Sequence, residues 1–110
     1  MSIENLSILV VEDNDINMEV IEFMLQSEGA IVYKYKARNG KEAVEQFGQI
    51  KNLDLILMDL MMPIMDGYEA TLQIRKKDKK IPILAMSANA YMQDIQKCYQ
   101  AGMNGHISKP

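Results

Sequence analysis

The sequence predicts a doubly wound α/β fold, in which a parallel β-sheet carries helices on both faces. Short apolar runs alternate along the chain with longer segments of helical periodicity, which is the pattern of successive βαβ units. The length of 110 residues and the hydrophobic content of 48% suit one globular domain with a modest core. We therefore treat residues 1–110 as a single domain.

The first predicted strand covers residues 8–11, an apolar run rich in β-branched side chains. A helix follows, with Asp15 expected as its N-cap and Gly29 as its left-handed C-terminal cap. The apolar stripe of this helix consists of Met18, Val20, Ile21, Met24 and Leu25.

Residues 31–33 predict a weaker second strand, after which Asn39 is expected to cap a short helix. The third strand is predicted at residues 53–58, where Asp54 interrupts an otherwise continuous apolar run. The apolar side of the intervening helix consists of Ala43, Val44 and Phe47.

Asp66 is expected to cap the third helix. The fourth strand is predicted at residues 81–86, followed by a helix over residues 90–101 that Gly102 ends. Residues 106–108 predict a short fifth strand. The apolar residues of the third helix are Tyr68, Leu72 and Ile74.

Ionisable or hydroxyl side chains follow four of the predicted strands. Glu12 and Asp13 follow the first strand, Asp59 the third, Ser87 the fourth and Lys109 the fifth. Parallel strands place their C-terminal ends at one edge of the sheet, where such folds bind ligands, so we expect these side chains to meet. An unpaired carboxylate directly after a buried strand is costly, and this edge therefore predicts a site for phosphate and metal.

Composition excludes several classes of function. The formal net charge of −3 argues against nucleic acid as a direct partner, since such binding depends on clustered Lys and Arg. The basic residues 75–80 are expected to form a solvated loop, and Cys98 to be a packing residue. No apolar run approaches the roughly 20 residues of a membrane span, and nothing resembles a signal peptide, so we expect a cytoplasmic setting without direct membrane contact.

The three carboxylates would repel one another unless a cation neutralised them. Mg²⁺ prefers oxygen ligands and often shares its coordination shell with a phosphate. Asp13 and Asp59 are the expected direct ligands, and Glu12 is expected to act through water. The alternative is a solvated acidic loop with an ion pair to Lys109, which does not explain why Asp59 follows a buried strand.

Asp59 can also act as a nucleophile and form an aspartyl phosphate. Mg²⁺ and Lys109 would neutralise charge on the transferred group, and the Ser87 hydroxyl would donate to one of its oxygens. The sequence shows no candidate base for hydrolysis. A stable phosphorylated state that other proteins read is therefore favoured over rapid turnover.

With this set of residues, the chain closely resembles the receiver domain of two-component response regulators. The resemblance covers essentially the whole chain, and its motifs are specific in combination. It implies that Asp59 is the phosphoacceptor, that the main-chain carbonyl of Met61 is a further metal ligand, and that the peptide bond between Lys109 and Pro110 is cis. The matching segments are Glu12 with Asp13, residues 58–67, residues 85–90, and Lys109 with Pro110.

The resemblance also implies a flavodoxin-like sheet of five strands in the order 2-1-3-4-5, and Mg²⁺ or Mn²⁺ as the cofactor. Residues 11–17, 88–90 and 102–104 look most like receivers of hybrid sensor histidine kinases. Such receivers take the phosphoryl group from a histidine kinase and pass it to a histidine phosphotransfer domain, and we expect these partners here. We expect no enzyme activity from the isolated domain beyond its own phosphorylation. If the chain is a fragment of a hybrid histidine kinase, the enzyme activity of the whole protein stays open. The domain would then lie on the cytoplasmic side of the membrane.

Two features depart from the family pattern. His106 stands where receivers usually carry a tyrosine or phenylalanine that turns inward on phosphorylation. It is either a half-buried ring on an edge strand or, together with Ser87, a switch with added pH sensitivity, since imidazoles titrate near about pH 6.5. The sequence also stops at Pro110, before the fifth helix of other receivers. We therefore expect exposed apolar surface, with either reduced stability or a homodimer that covers it.

Other functions fit the sequence less well. A phosphatase of the haloacid dehalogenase type would carry a second aspartate two positions after the nucleophile, where this chain has Met61. An FMN carrier would need hydroxyls rather than Glu12 and Asp13, and the Gly-x-x-x-x-Gly-Lys-Ser/Thr phosphate-binding motif is absent. A degenerate receiver that binds other proteins independently of phosphorylation is the alternative that stays open.

Overall fold

The fold is known from a computed structural model, which describes residues 2–32, 36–88 and 92–109. Strands and helices alternate along the chain. The strands are β1 (Ser7–Val11), β2 (Ile31–Val32), β3 (Leu55–Asp59), β4 (Ile83–Ser87) and β5 (Gly105–Ser108). The helices are α1 (Asp15–Ser27), α2 (Gly40–Gln49), α3 (Gly67–Arg75) and α4 (Met92–Ala101).

The strands form one parallel sheet in the order β2-β1-β3-β4-β5. Side chains alternate between its two faces. In β1, Leu9 and Val11 belong to the core shared with α2, α3 and α4, whereas Ile8 and Val10 belong to the core shared with α1. Burial on both faces explains the unbroken apolar runs. The predicted doubly wound fold and the strand order are therefore confirmed.

The helix caps follow the predictions with one exception. Asn39 caps α2 and Asp66 caps α3, as expected. Helix α1 is capped by Asn14, so the prediction of Asp15 was wrong. Asn14 has an extended backbone and its side chain accepts a hydrogen bond from the first turn. Asp15 is already helical, and its carboxylate forms an ion pair with Arg38.

Several element ends differ from the predicted ones or lie outside the described residues. β3 begins at Leu55 rather than at residue 53, and the carboxylate of Asp54, just before the strand, accepts a hydrogen bond from the backbone N–H of Ser7 at 2.8 Å. β3 also includes Asp59 as its last residue, and β4 covers Ile83–Ser87 rather than residues 81–86. Residue 33, residues 90 and 91, and the peptide bond to Pro110 lie outside the described residues.

The apolar stripe of α1 is only partly buried. Met18 and Ile21 are buried and Leu25 is half-buried, whereas Val20 and Met24 are exposed, as is Phe23 outside the predicted stripe. An apolar groove runs between this helix and the ends of β4 and β5. Self-association through such a surface stays a prediction.

Of two predictions from composition, the one for Cys98 holds, and the one for residues 75–80 holds for the lysines but not for Arg75, which ends α3. Cys98 is buried in the core beside α3, as a packing residue. The basic loop exposes its lysines, but Arg75 is half-buried and donates to the carbonyl of Gly102 at 2.8 Å and to Asn104 at 2.9 Å. No helix within the described ranges has the length and apolar content to cross a bilayer.

Two glycines at helix starts hold the loop between β3 and α3. The N–H of Gly67 donates to the carbonyl of Leu60 at 3.1 Å, and a Cβ on Gly67 would lie 2.2 Å from the carbonyl oxygen of Asp59. Gly40 donates to the carbonyl of Met65 at 2.8 Å, and a Cβ there would lie 2.4 Å from that oxygen. Both positions need a residue without a side chain. The close approach of Gly67 to the carbonyl of Asp59 also holds the backbone of Asp59 in place.

Replacing Gly67 with alanine is expected to lower the free energy of unfolding by about 1–3 kcal/mol, because the new Cβ overpacks against Asp59. Gly48→Ala is the matched control, since no atom lies within 4 Å of a Cβ at Gly48 in α2. That variant should keep its stability or gain up to about 1 kcal/mol from helix propensity. Urea unfolding curves measure both effects, and an equal loss in the two variants would contradict the proposed steric constraint.

Candidate functional site

The C-terminal ends of β1, β3, β4 and β5 lie side by side at one edge of the sheet. Asp59 is in register with Met86, and Ser87 is in register with Ser108. The backbone N–H of Lys109 donates to the carbonyl of Ser87 at 2.9 Å, which continues the strand pairing. The structure therefore places together the residues that the sequence assigned to this edge, namely Glu12, Asp13, Asp59, Ser87 and Lys109.

One ammonium group faces two buried carboxylates. Nζ of Lys109 lies 3.1 Å from Oε1 and from Oε2 of Glu12, and 3.1 Å from Oδ2 of Asp59. The side chain of Glu12 is 0% exposed and that of Asp59 is 2% exposed. One positive charge cannot neutralise two negative ones in a poorly solvated place. The site therefore keeps an excess of negative charge that favours a further cation.

Two asparagines that the sequence analysis did not assign to the site orient Glu12. The backbone N–H of Asn14 and the side-chain amide of Asn17 donate to Oε1 of Glu12, at 3.3 and 3.5 Å. Their spacing after Glu12 was visible in the sequence. The pattern alone does not reveal that the first turn of α1 folds over this carboxylate.

The acidic residues of the site fit a divalent cation. Glu12, Asp13 and Asp59 each offer a carboxylate oxygen, and these oxygens lie within 4.8 Å of one another. Oε2 of Glu12 and Oδ2 of Asp59 are buried, and both rely on the same Lys109 ammonium, 3.1 Å from each. Two buried carboxylates that share one cation are costly, and ligand sets made of carboxylates suit hard cations such as Mg²⁺.

The same surroundings shift the titration of the central groups. Burial and the neighbouring Glu12 carboxylate raise the pKa of Asp59 to about 6, while Lys109 and the backbone N–H of Met61, 3.4 Å from Oδ1, act in the opposite direction. Burial disfavours the charged form of Lys109, but its hydrogen bonds to Glu12 and Asp59 raise its pKa overall. At pH 7 the pair is therefore a carboxylate beside an ammonium.

A cleft of about 320 Å³ lies beside this pair, between the loop after β3 and α4. Ser87 and Lys109 form part of its wall, together with the exposed Met61. Tyr68 and Asp94 also line the cleft, and the sequence analysis did not assign them to the site because both lie on helices. The cleft leaves room for a small phosphodonor next to the ammonium of Lys109.

Ser87 also contacts the residue that departs from the usual receiver pattern. Oγ of Ser87 lies 3.2 Å from Nε2 of His106, a hydrogen-bonding distance. The ring is half-buried on β5, as one of the two interpretations expected. Its contact with Ser87 connects the ring to the site.

Comparison with known proteins gives a consistent match. A family model described as the response regulator receiver domain matches residues 8–110. The chain is 37% identical over 110 residues to hybrid signal transduction histidine kinase L of Dictyostelium discoideum. The match covers 94% of this chain and 6% of that protein, so the chain spans a small part of its relative's length.

Two solved structures share the fold over nearly the whole chain. The receiver domain of the sensor histidine kinase PA1611 from Pseudomonas aeruginosa PAO1, with magnesium coordinated in its active site cleft, is 42% identical. It has a TM-score of 0.84, and the match covers 96% of this chain and 86% of that one. The receiver domain of the Saccharomyces cerevisiae response regulator Ssk1, solved with the histidine phosphotransfer protein Ypd1, is 30% identical. Its TM-score is 0.88, with coverage of 100% and 82%.

The raised pKa of Asp59 predicts that stability falls as the pH rises from about 4 to about 6. In this window the folded protein keeps a proton on Asp59 that the unfolded chain, with the ordinary pKa of 3.8, has released, so deprotonation disfavours the folded state. Relative to Asp59→Asn, which does not ionise, the loss should be about 2–3 kcal/mol.

Urea unfolding of both proteins in EDTA, at pH steps between 4 and 7, measures this difference. The stability gap between the parent and Asp59→Asn should widen up to about pH 6 and then stay constant. Two curves that run parallel over the whole range would contradict the shifted titration.

Proposed function

The chain belongs to the response regulator receiver family, whose members receive phosphate in two-component signalling, and on this basis we propose that Asp59 accepts a phosphoryl group from a phosphohistidine. The observation that carries the proposal is the distance of 3.1 Å between Nζ of Lys109 and Oδ2 of Asp59. This contact supplies a buried nucleophile and a positive charge at the edge of one cleft.

The proposed reaction is a direct transfer between two side chains. An ionised oxygen of Asp59 attacks the phosphorus, a bond to that oxygen forms, and the bond to the imidazole nitrogen of the donor breaks. Lys109 neutralises charge on the transferred group. Ser87 lines the same cleft as Lys109 and donates its hydroxyl hydrogen to a phosphoryl oxygen. A pKa of about 6 leaves Asp59 ionised, and therefore nucleophilic, at pH 7.

We propose that the cation is Mg²⁺ or Mn²⁺. Asp13, Asp59 and the main-chain carbonyl of Met61 are its proposed ligands, and Glu12 contacts it directly or through water. When bound, the ion neutralises charge on the phosphoryl oxygens. The clustered carboxylate oxygens of this chain support the assignment, as does the magnesium ion in the receiver of the Pseudomonas kinase.

The same residues argue against the competing functions. A degenerate receiver that only binds proteins would have no use for two buried carboxylates and a lysine, a combination that costs stability. A phosphatase would need an acid or base two positions after Asp59, and Met61 has no such group.

Incubation with acetyl phosphate and Mg²⁺ should add one phosphoryl group to the parent protein and none to Asp59→Asn, because an amide is not a comparable nucleophile. Asp66→Asn is the matched control, since Asp66 caps α3 after the same loop and asparagine also caps helices. EDTA, or the variant Asp13→Asn, should slow the reaction at least about tenfold by weakening the metal site. Intact-mass spectrometry measures the gain in mass of one phosphoryl group.

A parent protein that gains no mass under these conditions would contradict the proposal. Continuous release of phosphate from unrelated monoesters would point to a phosphatase instead. Labelling of Asp59→Asn at the parent's rate would place the acceptor elsewhere in the chain.

We propose that the donor and acceptor proteins are a histidine kinase and a histidine phosphotransfer domain, which dock on apolar side chains around the site. The relationship to hybrid kinases and the yeast receiver solved with its phosphotransfer protein support this class of partner. Ile16 lies in the first turn of α1, shortly after the acidic pair, and is 72% exposed, while Met61 and Ile64 follow Asp59 and are 76% and 79% exposed.

Ile64 strengthens the case for a contact surface. Its backbone has a φ of 69°, which is unusual for a β-branched residue and costs conformational energy. An exposed apolar side chain held in a strained loop gains nothing in the isolated domain. Exposed apolar groups that border a polar site are typical of protein contacts.

The variant Ile16→Ser should slow phosphoryl transfer from a phosphorylated histidine phosphotransfer protein, such as Ypd1, by about five- to tenfold, as the loss of a central contact does. Its rate with acetyl phosphate should match that of the parent, since a small donor needs no docking surface. Leu72→Ser is the control, because Leu72 is also exposed but lies on α3. An equal loss with both donors would indicate damage to the site rather than to docking.

A further inference from the structure

We propose that His106 is a positioning residue that turns the hydroxyl hydrogen of Ser87 toward the phosphoryl group. This inference rests on the proposed function, because it assigns a role to one hydrogen bond during phosphorylation of Asp59. The supporting observation is the contact of His106 in β5 with Ser87 in β4, which is independent of the acidic cluster.

The register of the sheet brings the two side chains together. Ala85 lies beside His106, and Ser87 lies beside Ser108, in the parallel pairing of β4 with β5. Alternate residues of a strand share a face, so His106 and Ser87 are diagonal neighbours on one face. Nε2 of His106 lies 3.2 Å from Oγ of Ser87, in a partly buried place.

The direction of this hydrogen bond determines where the serine proton points. A hydroxyl donates one hydrogen and accepts through two lone pairs. A ring that carries its hydrogen on Nε2 donates to Oγ and leaves the hydroxyl hydrogen for another acceptor. A ring that carries its hydrogen on Nδ1 instead accepts the serine hydrogen at Nε2 and withholds it from the site.

The chemistry of the acceptor selects the first arrangement. The oxygens of an ionised phosphoryl group only accept hydrogen bonds, so Ser87 must donate to them. If the contact with His106 persists while Ser87 donates in this way, His106 is the donor to Oγ. Successive donors in one direction polarise each other, and a hydroxyl that accepts from an imidazole N–H becomes a stronger donor. A phenylalanine at this position would pack in the same place but supply no hydrogen bond.

A double-mutant cycle tests this role. Four proteins are compared, namely the parent, His106→Phe, Ser87→Ala and the double variant, and the initial rate of phosphoryl gain from acetyl phosphate is measured by intact mass. His106→Phe should slow the reaction about three- to tenfold in the parent background, the effect of losing one hydrogen bond. In the Ser87→Ala background the same change should have no effect, because His106 acts through Ser87.

A conservative variant separates hydrogen bonding from packing. His106→Gln carries an amide N–H that donates at similar reach, and it should recover most of the lost rate. Urea midpoints of all variants establish that each is folded under the assay conditions. An equal loss from His106→Phe in both backgrounds, or a glutamine variant as slow as the phenylalanine variant, would overturn the proposal.

Nitrogen-15 spectra of the His106 ring decide the hydrogen-bond direction without any phosphorylation. A positioning role requires this direction before the phosphoryl group arrives, so the ring should already carry its hydrogen on Nε2, and Ser87→Ala should shift its signals. A ring with its hydrogen on Nδ1 would overturn the inference. Because this measurement uses the unphosphorylated protein, a failure of the proposed phosphoacceptor function and a failure of the role of His106 give different results.

Discussion

The imbalance between two buried carboxylates and one lysine ammonium is the constraint on which the rest of the structure depends. Glu12 and Asp59 cannot both be satisfied by Lys109, so burial and mutual repulsion raise the pKa of Asp59 to about 6. This arrangement costs stability in the isolated domain. It persists because apolar layers on both faces of the sheet supply the stabilisation that the site removes. The unmet negative charge also makes the site suitable for a cation and for transfer of a charged group.

The position of Asp59, the proposed acceptor, is maintained by the backbone rather than by side chains. Asp59 ends a central strand whose neighbours on both sides are paired, so its Cα cannot shift without disturbing the sheet. Gly67 then packs against the carbonyl of Asp59 and starts α3 one loop later. Gly40 holds the same loop from the side of α2. A rigid strand end and a closely packed loop thus orient the carboxylate, while the exposed side chains of that loop are available for contact with partners.

The edge strand β5 links the site to the outside of the domain. Lys109 extends this strand into the acidic cluster, and His106 contacts Ser87 from within it. An aromatic ring without nitrogen could fill the place of His106, but it could not direct a hydroxyl hydrogen. The presence of His106 in place of the usual tyrosine or phenylalanine therefore changes the hydrogen bonding at the site and leaves β5 intact. The histidine at this one position connects the proposed phosphoryl site with a partly exposed edge of the sheet.

The sequence by itself determined the order and type of the elements, and it placed Asp59 and Lys109 at one edge, because hydrophobic periodicity and the rule for parallel strand ends act locally. It placed the cap of α1 one residue too late, at Asp15, because asparagine and aspartate cap helices about equally well, and only the structure shows that Asn14 caps while Asp15 pairs with Arg38. The sequence also could not reveal the contact of His106 with Ser87. That contact depends on the register between two strands, and register is set by how the whole core packs. Local chemistry thus fixed which groups reach the edge, and tertiary packing decided which of them touch.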